Sequence, residues 1–381
     1  MNKYYVSNRT IEIILFLIDY LILFLINLKI LKINRCNYTS YKNVLISNMG
    51  ALGDAVLSTA AVYAIKNTYR NVKISFICEE DTKPIFESCS LIDKIYSYKH
   101  PIGRKGRHFD IISIFNIIGK LRKIISDIKK IQYDISIELF PRIQNNIFLF
   151  WLANIPIRIG YDSGGFGNLL TNPKKFVLKN QHMTQYYFDL LEDIFVEPLT
   201  DVLFPIMGIE TEISIKLSNY IIIHMGSYSN KRTWDNNNWI ELINMLQKRN
   251  NYLIVFTGRG KYEHNNIINV INNIKGKEID LCDKISVREL LAIVKRAKLV
   301  ISLDTAIVHI ASAFKVPCIV ICTGIHPNIW YPFYNNSIMC YYKTQCSPCY
   351  IENGCSEMNC IRKLKVIDVY KTIVNIDNSY K

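Results

Sequence analysis

The residues best suited to chemistry in the N-terminal half lie in one short turn, which contains Gly50, Gly53 and Asp54. The apolar stretch Val44–Ser47 precedes this turn, and a helical pattern follows it. A strand, a glycine-bearing turn and a helix form the opening unit of nucleotide-handling α/β domains. Glycine lets the backbone approach a ligand closely, and the new helix directs unpaired N–H groups toward the same place. Asp54 is therefore a candidate reactive carboxylate, although an aspartate here also commonly caps a helix without any further role.

Polar residues also follow the predicted strands of the C-terminal half. Ser227, Ser229 and Lys231 come after the strand Tyr220–His224. Hydroxyl groups beside a cation suit the oxygens of a diphosphate, although a solvated basic loop has the same composition. Gly258 begins a second tight turn after the next strand, where backbone can meet a ligand.

A third group of polar residues follows the strand Leu299–Ser302. We expect Asp304 to cap the next helix, and Thr305 to offer a hydroxyl and an N–H group to a phosphate at its N-terminus. His309 lies four residues after Thr305, one turn inside the same helix. A single histidine there is more often a hydrogen-bonded core residue than a ligand contact, but the preceding Asp and Thr favour a ligand contact.

An alternation of strands and helices has to position these residues. In the first half we predict strands at Val72–Cys78 and Tyr133–Leu139, a loop at Ile159–Asn168, and helices near Ala55–Asn67, Ile111–Lys130 and His182–Ile194. In the second half we predict strands at Tyr220–His224, Asn251–Thr257, Leu299–Ser302 and Pro317–Cys322, and helices near Asn238–Arg249, Glu263–Ile274, Val287–Lys295, Ile307–Phe314 and Val366–Ile376. The periodicity breaks across Glu197–Ser218, which we interpret as a linker. The pattern predicts two doubly wound α/β domains with a cleft between the carboxyl ends of their strands.

Composition limits the class of partner. The 381 residues are enough for two domains with their own cores, and 46 Lys and Arg against 32 Asp and Glu give a net charge of +14. Such an excess suits phosphorylated substrates, an anionic membrane surface or nucleic acid. Nucleic acid is the least favoured, because no basic run interleaved with aromatic residues stands out.

The most hydrophobic segment spans residues 11–31 and has about the length of a bilayer-spanning helix. Glu12, Asp19 and Asn27 nevertheless recur on one helical stripe, and Lys29, Lys32 and Arg35 follow. Three interpretations stay open: a helix lying on a membrane surface, a single spanning anchor, or a helix packed on the protein.

Four cysteines close to the C-terminus, Cys346, Cys349, Cys355 and Cys360, fall within 15 residues. They could bind structural zinc or form a redox-sensitive pair, but their spacing is not a standard pair of C-x-x-C knuckles. Reduced free thiols in a compact loop are the alternative.

Four stretches of the chain resemble glycosyltransferase family 9, the ADP-heptose:lipopolysaccharide heptosyltransferases and their relatives. They are VLISNMGALGDAVLSTAA (Val44–Ala61), IRIGYDSGGFGNLLT (Ile157–Thr171), IIIHMGSYSNKRTWDNNNW (Ile221–Trp239) and LVISLDTAIVHIASAFKVPCIVICTGIHPNIW (Leu299–Trp330). The resemblance implies a GT-B fold, in which two Rossmann-like doubly wound domains face each other across a cleft. We expect a membrane-associating segment at 1–42, an acceptor domain at 43–205, a nucleotide-sugar domain at 206–345, and a Cys-rich loop with a C-terminal helix at 346–381.

The resemblance also implies an inverting glycosyltransferase, in which Asp54 is the general base and Gly50 and Gly53 shape its turn on the acceptor side. Lys231 matches the lysine that neutralises the leaving diphosphate, and Ser227 and Ser229 match its phosphate-binding hydroxyls. The implied donor is a nucleoside-diphosphate sugar such as ADP-heptose, with Gly258 in the donor-binding set.

The signature Asp-Thr-Gly-x-x-His of that family corresponds to Asp304, Thr305 and His309, and Ala306 replaces its glycine. The implied acceptor is a glycolipid or core oligosaccharide at the inner face of the plasma membrane, with the protein cytoplasmic and peripheral to or anchored in that membrane. No metal and no cofactor are expected, because cationic side chains and helix N-termini stabilise the diphosphate. An epimerase of the same architecture and a catalytically silent nucleotide-sugar-binding protein are the alternatives.

Overall fold

The computed structural model describes residues 9–28, 30, 41–100, 111–192, 194, 208, 217–227, 229–324, 328–349, 351 and 354–379. These residues form two compact units, Met1–Lys179 with Thr184–Pro205, and Asn180–Met183 with Ile206–Lys381. The linker predicted at Glu197–Ser218 lies outside the described residues except for residues 208, 217 and 218. The four expected domain boundaries therefore stay predictions.

The described residues of each unit form one parallel sheet of six strands, and the alternating pattern predicted parallel sheets. The strands of the first sheet are β1 (Asn43–Asn48), β2 (Lys73–Glu79), β3 (Lys94–Tyr98), β4 (Ile135–Glu138), β5 (Ile157–Tyr161) and β6 (Asn172–Lys174). Those of the second sheet are β7 (Tyr220–His224), β8 (Leu253–Thr257), β9 (Glu278–Asp280), β10 (Leu299–Leu303), β11 (Cys318–Ile321) and β12 (Ser337–Cys340).

The two sheets share one topology. Their strand orders are β3-β2-β1-β4-β5-β6 and β12-β11-β10-β7-β8-β9, so both have the doubly wound order of a dinucleotide-binding fold. In the first sheet the order reverses between β1 and β4, and in the second between β7 and β10. Because the connections leave these strand pairs in opposite directions, a crevice opens at their carboxyl ends, where ligands bind in such sheets.

The described helices lie between and beside these strands. In chain order they are α1 (Arg9–Asn27), α2 (Leu52–Thr68), α3 (Lys83–Glu87), α4 (Ile111–Ile131), α5 (Ile147–Leu152), α6 (Met183–Leu191), α7 (Asn236–Asn250), α8 (Lys261–Ile271), α9 (Val287–Arg296), α10 (Ala306–Ala313), α11 (Asn359–Arg362) and α12 (Val366–Ser379). The helices predicted from the sequence match these within a few residues at each end.

The sequence did not reveal the outer strands. β3, β6, β9 and β12 lack a continuous apolar run because one side of each faces no further strand, so their burial is incomplete. The loop predicted at Ile159–Asn168 is also partly wrong, since its first three residues complete β5. A strand with the short apolar pattern Ile-Arg-Ile-Gly-Tyr cannot be separated from a glycine-bearing loop by periodicity alone.

The hydrophobic N-terminal segment forms α1, which packs on the first unit along one stripe. Leu15, Asp19 and Ile22 are buried, and Ile22 belongs to an apolar cluster with Leu169 and Leu170. Asn168 Nδ2 donates a hydrogen bond of 2.9 Å to the Asp19 carbonyl. The interpretation of a helix packed on the protein therefore holds for this stripe. In the part of the chain that the structure describes, no helix combines the length and hydrophobicity that crossing a membrane requires.

A buried carboxyl organises the end of β4. Glu138 is fully buried, and its two oxygens accept the Phe140 N–H at 3.0 Å and the Asn146 N–H at 2.7 Å. The Asn146 side chain in turn donates to Ser47 Oγ at 2.7 Å and accepts from the Tyr98 hydroxyl at 2.7 Å. These bonds join the carboxyl ends of β1, β3 and β4, because each buried polar group needs a partner.

We predict that Glu138 makes folding dependent on pH. Burial raises the pKa of Glu138 to about 8 from its ordinary value, although the two backbone N–H groups lower it. A carboxyl whose folded pKa is raised contributes stability below its unfolded pKa of about 4.5, and that contribution is lost as the pH rises through about 8. Urea unfolding should therefore show that the wild type loses unfolding free energy relative to Glu138→Gln as the pH rises from 5 to 9.

The matched control is Glu87→Gln, which removes an exposed pair with Lys83 and should follow the wild type within about 0.5 kcal/mol at every pH. If the unfolding free energies of the wild type and Glu138→Gln change in parallel over this pH range, Glu138 keeps its charge in the folded protein and the prediction is wrong.

Candidate functional site

The turn after β1 holds Asp54 in a fixed orientation. Ala51 is the N-cap of α2, and Asp54 lies three residues later, inside the first helical turn after Gly53. The Asp54 Oδ2 accepts the Ala51 N–H at 2.8 Å. Asp54 is therefore not the capping residue itself, and its carboxylate returns to the start of the helix, where the unpaired N–H groups favour a negative charge.

Gly50 permits this arrangement because the Asp54 side chain leaves no room for a Cβ at position 50. A Cβ at position 50 would lie 2.5 Å from the Asp54 Cβ and 2.7 Å from its Oδ2. The Gly50 N–H donates to the Asn48 Oδ1 at 2.8 Å, so the turn is tied to the last residue of β1. The sequence predicted close backbone approach at this glycine, and the structure shows that it makes room for Asp54.

The loop after β7 places Ser227, Ser229 and Lys231 together. The Ser227 Oγ is buried and has no hydrogen-bond partner among the described residues. The Ser229 Oγ accepts the Lys231 N–H at 3.4 Å and caps a single 3₁₀ turn, Asn230–Arg232. Lys231 is exposed. An exposed ammonium group on this loop can reach an anion that approaches from solvent.

The next cation of this loop, Arg232, points inward, and sequence analysis did not include it among the candidate site residues. Arg232 forms a largely buried ion pair with Asp304, which follows β10. Burial raises the pKa of Asp304 to about 6, and the Arg232 guanidinium opposes that rise. Two adjacent basic residues give no sign in the sequence of which one faces a carboxylate, because that depends on how the β7 and β10 loops meet.

This pairing corrects one prediction. Asp304 does not cap α10, because Thr305 occupies the N-cap position and Ala306 is the first helical residue. The Thr305 Oγ1 lies 3.3 Å from the Ser302 Oγ, and the structure shows no hydrogen bond from that side chain to the first turn of α10. The N-terminus of α10 therefore presents N–H groups beside Asp304 and Ala306.

His309 is buried inside α10 but is not a hydrogen-bonded core histidine. Its Nδ1 has no partner among the described residues, and its ring lies 6.3 Å from the Trp330 ring. Burial lowers the pKa of His309 to about 4, so the imidazole is neutral at pH 7. A neutral ring with an unsatisfied nitrogen can donate to or accept from a ligand without adding charge.

Gly226 after β7 and Gly258 after β8 both lie against the carboxylate of Glu263, which sequence analysis did not single out. A Cβ at Gly226 would lie 2.3 Å from Glu263 Oε1, and one at Gly258 would lie 2.9 Å from Glu263 Oε2. Glu263 accepts the Arg259 N–H at 2.8 Å, and burial raises its pKa above the ordinary value. Gly258 is thus confined by the protein itself, and Glu263 joins the two loops.

Unsatisfied polar atoms collect at the carboxyl edge of the second sheet. Buried side-chain atoms without a partner among the described residues include Ser227 Oγ, Asp304 Oδ1, His309 Nδ1 and Thr323 Oγ1. They follow β7, β10 and β11, the strands on and beside the point where the strand order reverses. Because buried polar groups in folded proteins are nearly always paired, this grouping makes the edge a candidate site for a polar ligand.

The cysteine loop borders this edge, because the Cys349 N–H donates to the Gly324 carbonyl, just after β11, at 2.7 Å. The sulfurs of Cys349 and Cys355 accept the Ile351 N–H at 3.4 Å and the Met358 N–H at 3.2 Å. Within the described ranges the cysteines are free thiols, and no group of three or more His, Cys, Asp or Glu is arranged to hold a metal ion.

Comparison with known proteins identifies the family. The model of glycosyltransferase family 9 (heptosyltransferase) matches residues 121–360, which is more than half of the chain. The chain belongs to glycosyltransferase family 9. It is 24% identical over 299 residues to lipopolysaccharide heptosyltransferase 3 of Escherichia coli, and the match covers 75% of this chain and 85% of that protein.

Solved structures agree on the fold. The family 9 glycosyltransferase from Veillonella parvula superposes with a TM-score of 0.71 at 18% identity, covering 90% of this chain and 99% of that one. The Escherichia coli heptosyltransferase WaaC, solved with ADP-2-deoxy-2-fluoro heptose, has a TM-score of 0.68 at 16% identity, covering 87% of this chain and 99% of that one. The predicted GT-B fold with two Rossmann-like domains is confirmed.

Family membership decides the enzyme class. This family 9 protein is a glycosyltransferase with a heptosyltransferase-type role, and the epimerase is set aside. The assignment of individual site residues stays a prediction.

We predict that adjacent basic residues of the transferase have different roles. Arg232→Met should leave a buried carboxyl without its cation and lower the unfolding free energy by on the order of 3 kcal/mol. Lys231→Met should change it by less than about 0.5 kcal/mol, because Lys231 is exposed, while weakening the binding of a nucleoside diphosphate. Urea unfolding and calorimetric titration with ADP measure the two effects, and equal stability losses in both variants would contradict the prediction.

Proposed function

We propose that this transferase moves heptose from ADP-heptose to a lipopolysaccharide-core or other membrane-borne glycan acceptor, with inversion at the anomeric carbon. The observation that carries the proposal is the group of unsatisfied polar atoms around the Arg232–Asp304 ion pair, at the carboxyl edge of the second sheet. It is supported by the family and by the relative solved with an ADP-heptose analogue.

In the proposed reaction Asp54 is the general base. Its carboxylate accepts the proton of the acceptor hydroxyl as that oxygen attacks the anomeric carbon from the face opposite the diphosphate. The new C–O bond forms while the bond from the anomeric carbon to the diphosphate oxygen breaks, and ADP leaves. Most of the gain comes from holding the carboxylate in place, which the Ala51 N–H and the tight turn at Gly50 favour.

The leaving diphosphate is stabilised by groups of the second unit. Ser227, Ser229 and Lys231 supply hydroxyl groups and a cation from the β7 loop, and the N-terminus of α10 supplies N–H groups next to Thr305. His309 contributes a neutral donor or acceptor to the sugar or phosphate. Ala306 places a methyl group at the first residue of α10, where the family has glycine, and this methyl restricts which donor fits.

We expect Asp54→Asn to lose turnover by at least roughly 100-fold, because the amide cannot accept the acceptor proton. Its Oδ1 still accepts the Ala51 N–H, so folding and ADP affinity should be unchanged. The assay is acceptor-dependent ADP release from ADP-heptose, run beside UDP-, GDP- and dTDP-sugars with a membrane glycolipid extract.

Asp235→Asn is the control, because Asp235 caps α7 at the surface. Full transfer by Asp54→Asn would remove Asp54 as the base, and release from a different donor would replace heptose. Tight nucleotide binding without release from any donor would favour the silent binding protein.

We also propose that the transferase lies on the inner membrane surface through α1. Leu17, Tyr20 and Phe24 are each more than half exposed, and the outward side of the helix carries no charge between residues 13 and 24. Asp19 is turned inward against the protein. Phe148 of α5, which is 43% exposed, contacts the rings of Trp151 and Phe166. Both of these residues pack against the apolar cluster that contains Ile22. An exposed apolar face of this size is typical of an interaction surface.

A lipid surface fits this face better than a second copy of the chain. Each copy carries a net charge of +14, so two copies repel, whereas an anionic leaflet attracts. The segment that follows α1 in the sequence adds Lys29, Lys32 and Arg35. The acceptor proposed above is itself held in such a leaflet.

We predict that the double variant Leu17→Glu/Phe24→Glu loses binding to vesicles that contain phosphatidylglycerol, because two carboxylates would have to enter the apolar layer. Phe115→Glu is the matched control, since Phe115 is 69% exposed on α4. Vesicle flotation with and without anionic lipid measures binding. Unchanged flotation of the double variant would overturn the proposal. So would a wild type that elutes as a dimer together with a double variant that elutes as a monomer.

A further inference from the structure

A buried tyrosine and asparagine lie directly behind the Asp54 turn. The hydroxyl of Tyr187, on α6, accepts a hydrogen bond of 3.3 Å from Asn48 Nδ2, and both residues are almost completely buried. At its other end the Asn48 side chain accepts the Gly50 N–H at 2.8 Å. Asn48 therefore connects the Tyr187 hydroxyl to the backbone of the turn.

The connection reaches Asp54 by direct contact. Gly50 lies so close to the Asp54 side chain that a Cβ would not fit between them. The charge of Asp54 also acts on Tyr187, whose pKa is raised mainly by burial and further by this carboxylate. Tyr187, Asn48, Gly50 and Asp54 thus form one contiguous set within the first unit.

The turn needs such a support because the sheet stops before it. β1 ends at Asn48, so the Gly50 N–H has left the ladder of strand hydrogen bonds. The Asn48 side chain supplies the missing acceptor at a buried position. A reactive group must be held within about 0.5 Å of its working geometry, which is usually achieved by a second layer of hydrogen bonds behind it.

A purely structural explanation would be that these atoms only satisfy one another. An apolar side chain in place of Tyr187 would, however, need no partner, and burying a hydroxyl gives little net stability. The Tyr187 hydroxyl accepts a hydrogen bond from the side-chain amide of Asn48. The oxygen of that amide holds the N–H of Gly50, the residue that packs against Asp54.

We infer that Asn48 and Tyr187 are positioning residues that hold the Gly50 turn so that the Asp54 carboxylate meets the acceptor hydroxyl. The inference rests on the proposed function, in which Asp54 is the general base. Neither residue touches the reacting atoms in this scheme, and both act through the turn. Removing the Tyr187 hydroxyl releases the Asn48 amide, and the turn then samples orientations in which Asp54 is displaced.

The test is the kinetic effect of Tyr187→Phe. Turnover should fall by roughly 10- to 100-fold, since small displacements of a reacting group cost this much, while the KM for ADP-heptose and the affinity for ADP stay unchanged. Tyr133→Phe is the matched control. It removes another buried hydroxyl of the first unit, which donates to Ser75 Oγ at 2.6 Å near the amino end of β4, and it should keep full turnover at a similar melting temperature.

A double-mutant cycle with Asn48→Ala tests whether the two residues act as one unit. The double variant should turn over no more slowly than Asn48→Ala alone, because Tyr187 acts only through Asn48. Should Asn48→Ala fail to fold, the comparison of Tyr187→Phe with Tyr133→Phe decides by itself.

Two outcomes would overturn the inference: turnover of Tyr187→Phe equal to that of Tyr133→Phe, or independent, multiplying losses in the cycle. Asp54→Asn separates this result from the function itself. If Asp54→Asn is inactive and Tyr187→Phe is normal, only the positioning role fails. If Asp54→Asn is fully active, the base assignment fails and the positioning role fails with it.

Discussion

Parallel strands end at one edge of a sheet, and in a doubly wound sheet the strand order reverses at one place along that edge. This constraint determines where the candidate site residues lie. The reversals fall between β1 and β4 and between β7 and β10. Asp54 and its turn follow β1, the Ser227 loop follows β7, and Asp304 follows β10. The crevice needs no dedicated element, because connections that leave in opposite directions cannot cover it.

Burial of polar groups at these edges has two different consequences. In the first unit the groups are paired: Glu138, Asn146, Ser47 and Tyr98 satisfy one another, and Asn48 joins Tyr187 to Gly50. Where the structure describes the second unit, several buried polar groups lack a partner, and the Arg232–Asp304 pair lies among them. A fully paired network stiffens the backbone, whereas an incomplete one has a lower free energy once a ligand supplies the missing partners. In the proposed function, the paired network of the first unit holds the base and the incomplete network of the second unit binds the donor.

In helix α1, the orientation of Asp19 determines which side of an apolar segment faces the protein and which side faces outward. Asp19 faces the first unit with Leu15 and Ile22, and the remaining surface of the helix is uncharged over residues 13–24. Because the acidic group is removed from the outer face, that face can meet a lipid surface without a desolvation cost. The helix packs on the loop after β5 through Ile22 and Asp19.

The sequence by itself determined the fold class and the positions of the turns. Apolar runs of strand length alternating with helical patterns define doubly wound sheets, and glycine with small polar residues after a strand marks its carboxyl end. Asp54, Ser227, Lys231, Asp304 and His309 were all singled out as candidate site residues in this way. Local patterns sufficed because these residues are adjacent in the chain to the strands that carry them.

Only the tertiary structure decided which groups meet. Arg232 rather than Lys231 pairs with Asp304, and Thr305 is the N-cap of α10. His309 Nδ1 has no partner among the described residues, and Tyr187 contacts Asn48 although more than a hundred residues separate them in the chain. The edge strands β3, β6, β9 and β12 likewise depended on a neighbouring strand more than on their own sequence. Such pairings depend on the packing of distant elements, and no periodicity within a segment of the chain encodes the direction of a side chain toward a partner that another segment supplies.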